Sequence, residues 1–211
     1  MSQSLDALNP RTALAEVGRD FHGRGWMAGT AGNLSARDRD HAGSFWITAS
    51  GLAKGRLDAD DFLRIDIAED QVVEHFRGDA SPSAETSIHR VIYQLFPHVH
   101  ACLHVHSVSA CLVTARYAVD CCELPLPPLE MLKGLDIWEE RPVVALPLFS
   151  NYSDVSAIAA AIEQRFTAAP PVLPALMIHG HGATVWGDSI QEAYNRVEIV
   201  EFLMNYLARR P

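Results

Sequence analysis

The segment Ala101-Cys102-Leu103-His104-Val105-His106 constrains the fold more than any other part of the chain. It is short and apolar, it follows the helix breaker Pro97, and it ends at Ser107, a good helix cap. That pattern predicts a strand. Side chains two apart on a strand share a face, so His104 and His106 point the same way with Cα atoms about 6.5 Å apart. Val105 then faces the opposite layer, as its apolar side chain requires.

The segments around it alternate in period. Helices are predicted from Asn9 to about Gly25, with Asn9 capping and Pro10 at the first helical position, from Ser83 to Phe96, and from Ser107 to about Arg116. Two more run from Ser153 to about Phe166, capped by Ser153 or Asp154, and from about Ser189 to Leu207. Strands are expected at Phe45–Thr48, Val143–Leu148 and Ala175–Ile178, with a hairpin of Phe62–Ile67 and Gln71–Phe76 turning at Ala68-Glu69-Asp70. Gly29 to Ser35 reads as a glycine-rich turn, and Cys121 to Pro128 as proline-rich loop. The class that follows is α/β: helices packed on both faces of a central, largely antiparallel or mixed sheet, in a single domain spanning residues 1–211.

Bulk properties narrow the function. The net charge is −9 and no Lys/Arg cluster could track a phosphodiester backbone, so nucleic acid is not expected as a partner. No apolar run approaches the roughly 18 residues that would span a bilayer, and the N-terminus lacks the basic and apolar regions of a signal peptide. A cytoplasmic location is the expectation. Four cysteines, none in a C-x-x-C pair, are expected to be reduced thiols, with Cys102 and Cys111 in apolar segments.

The chemistry-bearing residues are few. Two imidazoles on one strand face can reach one zinc ion, whose bonds to histidine are about 2.0–2.1 Å long. Ile178-His179-Gly180-His181-Gly182 offers a third ligand, and periodicity alone leaves His179 and His181 as alternatives. Three histidines with an open fourth position are the pattern of catalytic zinc. His98 and His100 form another H-x-H pair, but they follow Pro97 in a turn and are expected to be exposed. Glu85 stands at a helix start, where an acid is favoured in any case. Glu130 sits between Leu129 and Met131, and either carboxylate could serve as acid–base beside a metal-bound carbonyl. Gly32-Asn33, Ser50-Gly51 and Ser81-Pro82-Ser83 offer backbone N–H groups or hydroxyls to a phosphate, although each could equally be an ordinary turn.

Taken in order, Gly32-Asn33-Leu34-Ser35, Ser50-Gly51, Ser83-Ala84-Glu85, His104-Val105-His106 and His181-Gly182 followed by Gly187 resemble the class II aldolase family of zinc-dependent sugar-phosphate enzymes. The resemblance runs over nearly the whole chain. It implies His181 as the third ligand, one zinc per subunit, a phosphate held by Gly32, Asn33, Ser50, Gly51 and Ser83, and a small phosphorylated ketose as substrate. It also implies a homotetramer with active sites near subunit interfaces. Ala49-Ser50-Gly51-Leu52-Ala53-Lys54-Gly55 and Glu130-Met131-Leu132-Lys133-Gly134 look most like the dehydratases of that family, in which the carboxylate matching Glu130 is the acid–base. Glu85 matches the acid–base of the aldolases, so an aldolase is the alternative; a non-catalytic module of the same fold is a third.

Overall fold

The computed structural model describes residues 4–78 and 80–210. The chain opens with helix α1 (Pro10–Gly23), in which Asn9 Oδ1 accepts from Arg11 N at 3.0 Å and Pro10 takes the first turn. Its apolar stripe, Leu14, Val17 and Phe21, is buried, as the helical spacing predicts. Strands β1 (Asn33–Arg37), β2 (Ser44–Thr48), β3 (Phe62–Asp66) and β4 (Gln71–His75) follow. Then come α2 (Thr86–Leu95), β5 (Ala101–Val105), α3 (Val108–Thr114), β6 (Glu123–Pro125) and β7 (Ala145–Phe149). The chain closes with α4 (Val155–Ala168), β8 (Ala175–Ile178), β9 (Gly182–Gly187) and α5 (Ile190–Arg209).

The strands form one sheet in the order β4-β3-β2-β1-β5-β9-β8-β7-β6. Only β7 and β8 run parallel; the other neighbours are antiparallel. The mixed, largely antiparallel sheet expected from sequence is therefore present. Two cores cover it. Leu14 and Phe21 of α1, Ala110 and Val113 of α3, and Val197 and Leu203 of α5 pack on one face with Leu103, Val105 and Val185. Ile88 and Ile92 of α2 and Ile158 and Ile162 of α4 pack on the other with Cys102, Ile178 and Trp186. The alternation along β5 assigns Ala101, Leu103 and Val105 to the first layer and Cys102 to the second. Burying each such Leu, Val or Ile contributes about 1.5–3 kcal/mol.

Several boundaries differ from expectation. The glycine-rich turn ends at Gly32, and the residues after it form β1. Gly32 has φ +78°, and a Cβ there would lie 2.8 Å from His104 O, so only glycine fits between the turn and β5. β9 was hidden by the glycines at both of its ends. α2 begins at Thr86 rather than Ser83, with Glu85 in the capping position. Glu123–Pro125 of the proline-rich loop pairs with β7, and Val143 lies outside β7 and is exposed. Cys102 is buried, but Cys122 is exposed; all four thiols are free.

Candidate metal centre

Four ligand-type side chains meet at one end of the sheet. Glu85, His104, His106 and His181 each present an atom within 4.8 Å of the others. His104 comes from the C-terminal half of β5, and His106 follows β5 directly, held by a backbone bond from its N to Trp26 O at 2.8 Å. His181 sits in the turn between β8 and β9. Glu85 immediately precedes α2, which packs against the same sheet face.

His104 Nε2 lies 2.8 Å from His106 Nε2 and 3.3 Å from His181 Nε2, and the last two are 3.0 Å apart. Glu85 Oε1 is 2.8 Å from His181 Nε2 and 3.3 Å from His104 Nε2. A metal-bound imidazole is neutral and carries one N–H; for His104, whose Nδ1 lies 2.9 Å from Thr184 Oγ1, that N–H would point from Nδ1 to the hydroxyl. Its Nε2 lone pair therefore faces the other two rings. Lone pairs gathered this closely repel unless a cation lies among them. Three imidazoles and a carboxylate suit a divalent ion, and the hydrogen bond behind His104 fixes its tautomer as a ligand requires.

The electrostatics agree. Burial alone would raise the Glu85 carboxyl, but His104 and His181 outweigh it and hold the group well below the usual carboxylate range. Burial, reinforced by His104 and His181, lowers His106 to about 3, so its ring is neutral and available for coordination at ordinary pH.

A buried polar chain stands behind the cluster. Asn33 Nδ2 donates to Glu85 Oε2, and Asn33 Oδ1 lies 2.5 Å from His89 Nε2. His89 Nδ1 is 2.6 Å from Ser35 Oγ, which is 2.8 Å from the Tyr93 hydroxyl. His89 is fully buried and its pKa falls to about 3 through burial, so it stays neutral and links Asn33 to Ser35. Lys54 is buried too, its Nζ donating to Thr30 O at 2.8 Å and Leu52 O at 3.0 Å.

Sequence reasoning did not find Thr184, His89, or Lys54 as a buried cation. Lys54 alone had a local signal, its place between Ala53 and Gly55 in the turn after Ser50-Gly51.

The other expected site residues lie as follows. The turns of Ser50-Gly51 and Ser81–Ser83 are joined by the Ala49–Pro82 bridge and by Ser50 N donating to Ser81 O at 2.9 Å. Gly32 and Asn33 enter β1 beside them, although the Asn33 carboxamide is engaged by Glu85 and His89. His179 is not in the cluster; its Nε2 lies 3.1 Å from Tyr117 O. His98 and His100 are exposed. Glu130 is also outside the cluster. It opens a short 3-10 turn, Glu130–Leu135, with its side chain 84% exposed and 2.7 Å from Lys133 Nζ.

Comparison with known proteins places these features in context. The profile of the class II aldolase and adducin N-terminal domain matches residues 12–207. A methylthioribulose-1-phosphate dehydratase from Microcystis aeruginosa is 55% identical over 199 residues, covering 94% of this chain and 95% of that protein. Another from Leptospira biflexa is 39% identical over 209 residues, covering 98% of this chain and all of that protein (100%). Among solved structures, YgbL from Klebsiella pneumoniae superposes with a TM-score of 0.74 at 23% identity, covering 100% of this chain and 94% of that one. An L-fuculose-1-phosphate aldolase from Thermus thermophilus gives 0.68 at 24% identity, covering 92% and 90%. These two likenesses concern the fold.

Proposed function

The chain belongs to the class II aldolase and adducin family, and we propose that it dehydrates methylthioribulose 1-phosphate to 2,3-diketo-5-methylthiopentyl 1-phosphate and water, a hydro-lyase step of methionine salvage. The observation that carries this reading is the near full-length identity to curated dehydratases. The metal cluster alone does not choose between dehydration and aldol cleavage. The Glu130–Gly134 segment adds weight to dehydration.

His104, His106 and His181 would hold the ion, zinc in our reading, with one per subunit. Such an ion supplies Lewis acidity towards the ketone and the carbon-3 hydroxyl of the substrate. Gly32, Asn33, Ser50, Gly51 and Ser83 would grip the phosphate through backbone N–H groups and side chains, which fixes carbons 2 to 4 over the cluster. Glu130 would then take the proton from carbon 3. The electron pair left behind moves into a carbon 3–carbon 4 double bond, and the carbon-4 hydroxyl departs as water with the proton that Glu130 returns. The enol at carbon 3 tautomerises to the diketone.

Because Glu130 is exposed and outside its own chain's cluster, we read it as serving the site of a neighbouring subunit in a homotetramer. Met131, beside it, lines a cleft of about 780 Å3 with Trp26, Phe202 and Tyr206, an apolar face that an adjacent subunit would cover. Among the described residues no helix is long and apolar enough to cross a membrane.

A second reading, sugar-phosphate aldolase, is favoured by one observation: Glu85 touches the cluster directly. The deciding experiment incubates the zinc-loaded protein with methylthioribulose 1-phosphate and identifies the products. The diketone with the full carbon chain supports dehydration. Release of dihydroxyacetone phosphate would mean aldol cleavage, and no turnover would remove the assignment.

A further inference from the structure

One cleft beside the metal cluster has no part in the functions assigned so far. It holds about 720 Å3 and runs from His106 and His181 to Val108, Cys111 and Leu112 of α3 and to Ala115 just beyond. Val108 and Leu112 are four residues apart on one face of α3 and are 73% and 55% exposed. These two branched apolar side chains are left open to solvent beside the metal cluster. Cys111 Sγ lies 3.5 Å from His181 O, so this wall is continuous with a ligand residue. Asn151, 3.4 Å from His181 Nδ1, forms the polar lip.

The strand order fixes where the cleft lies relative to the other subsites. Gly32-Asn33 lead into β1 and Ser50-Gly51 follow β2, on one side of β5. The β8–β9 turn and Asn151, which follows β7, lie on the other side. Register places both sets at the same end of the sheet: Asn33 pairs with His104, and Ala183 pairs with Val105. The phosphate loops and the apolar cleft therefore flank the metal cluster from opposite sides. The proposed substrate has the same order, with phosphate on carbon 1, metal-seeking oxygens on carbons 2 and 3, and an uncharged thioether on carbon 5.

The geometry points to the Val108–Leu112 wall as the subsite for the substrate's apolar 5-substituent, and so as the feature that separates a 5-methylthio ketose phosphate from a 5-hydroxy one. This inference rests on the functional reading above. A methylthio group on this wall leaves water, whereas a hydroxyl there loses hydrogen bonds without regaining them.

The test uses two alcohols that lack the ketone and cannot react, 5-methylthioribitol 1-phosphate and ribitol 1-phosphate. Their dissociation constants are measured by calorimetry on the zinc-loaded full-length protein, on Leu112→Ser and on Ala115→Leu. Because Leu112 is half open to solvent, its replacement does not threaten the fold. The wild type is expected to prefer the methylthio analogue, and each variant to reduce that preference about tenfold, one by removing apolar contact and the other by narrowing the cleft. The ratio of kcat/KM for the matching ketoses should move in parallel. A preference equal to wild type in both variants would overturn the inference. So would a proportional loss of both affinities, which would mean that α3 serves only subunit packing. Failure of the dehydration reading is separate, being seen as absence of diketone from wild-type protein.

Discussion

His104 Nδ1 and Thr184 Oγ1 stand 2.9 Å apart, on residues that face each other directly in the β5–β9 pairing. The sheet register thus sets the orientation of a metal ligand. Thr184→Val keeps the shape and the β-branching but removes the acceptor. Metal affinity is expected to fall about 10–100-fold, with the thermal midpoint of the metal-free protein changed far less. Competition with a chromophoric chelator measures it; unaltered affinity would show that the hydroxyl does not orient the ring.

Glu130→Gln should reduce turnover by about 10²–10⁴-fold while zinc content stays at wild-type level. The reading in which Glu130 serves a neighbouring subunit makes a sharper claim. His104→Ala and Glu130→Gln proteins, each inactive alone, should regain activity when unfolded together and refolded as mixed tetramers, to about a quarter of wild type for random assembly. If the mixture stays as inactive as its components, Glu130 does not act across an interface.

Gly182 sits where β9 meets the end of β5. A Cβ there would lie 2.0 Å from Val105 O, a contact that no rotamer change relieves because the carbonyl is backbone. Gly182→Ala must push the strands apart beside His181. We expect about 1–3 kcal/mol lower stability in urea unfolding together with impaired metal uptake. Normal stability and full metal content would mean the strands yield freely here.

His89 makes stability depend on acid. Its pKa of about 3 in the folded chain lies below its ordinary value because burial disfavours the charged ring. As pH falls from about 6.5, the unfolded state takes up a proton that the folded state refuses, and stability declines by about 1.4 kcal/mol per pH unit until about pH 3. Above pH 6.5 this contribution is fully retained. Relative to His89→Asn, the wild type should lose about 2 kcal/mol more between pH 6.5 and 5 in parallel denaturant titrations. Identical slopes would contradict the assignment of His89 as a neutral buried link.

Much of the fold was legible because period carries it. α1, α4 and α5 followed from their caps and apolar stripes, and Ala175–Ile178 has the same bounds in sequence and structure. β6 was missed inside the proline-rich loop, and the other strands missed, β1 and β9, both begin at a glycine or just after one, where turn signals mask extended backbone. β1 and β9 are also the two neighbours of β5, so Thr184, which supports His104, stayed out of view, and Asn33 was read as a phosphate ligand rather than as the partner of Glu85. The spacing of His104 and His106 was a local signal. The approach of Glu85 to those rings depends on where α2 starts against the sheet, and no local pattern encodes it. The same holds for the cleft along α3, which is defined by elements distant in sequence.

β5 is the fifth strand of nine, with four neighbours in the hydrogen-bonded order on either side and a helical layer over each face. Its amides can meet solvent deuterons only when strands on one flank have come away. Exchange at Leu103, His104 and Val105 should therefore track global unfolding, while β4 and β6 at the rims exchange through local fraying. The strand that bears His104, and that His106 directly follows, belongs to the last part of the molecule to open, so heat or denaturant that loosens the rims would leave those ligands in place.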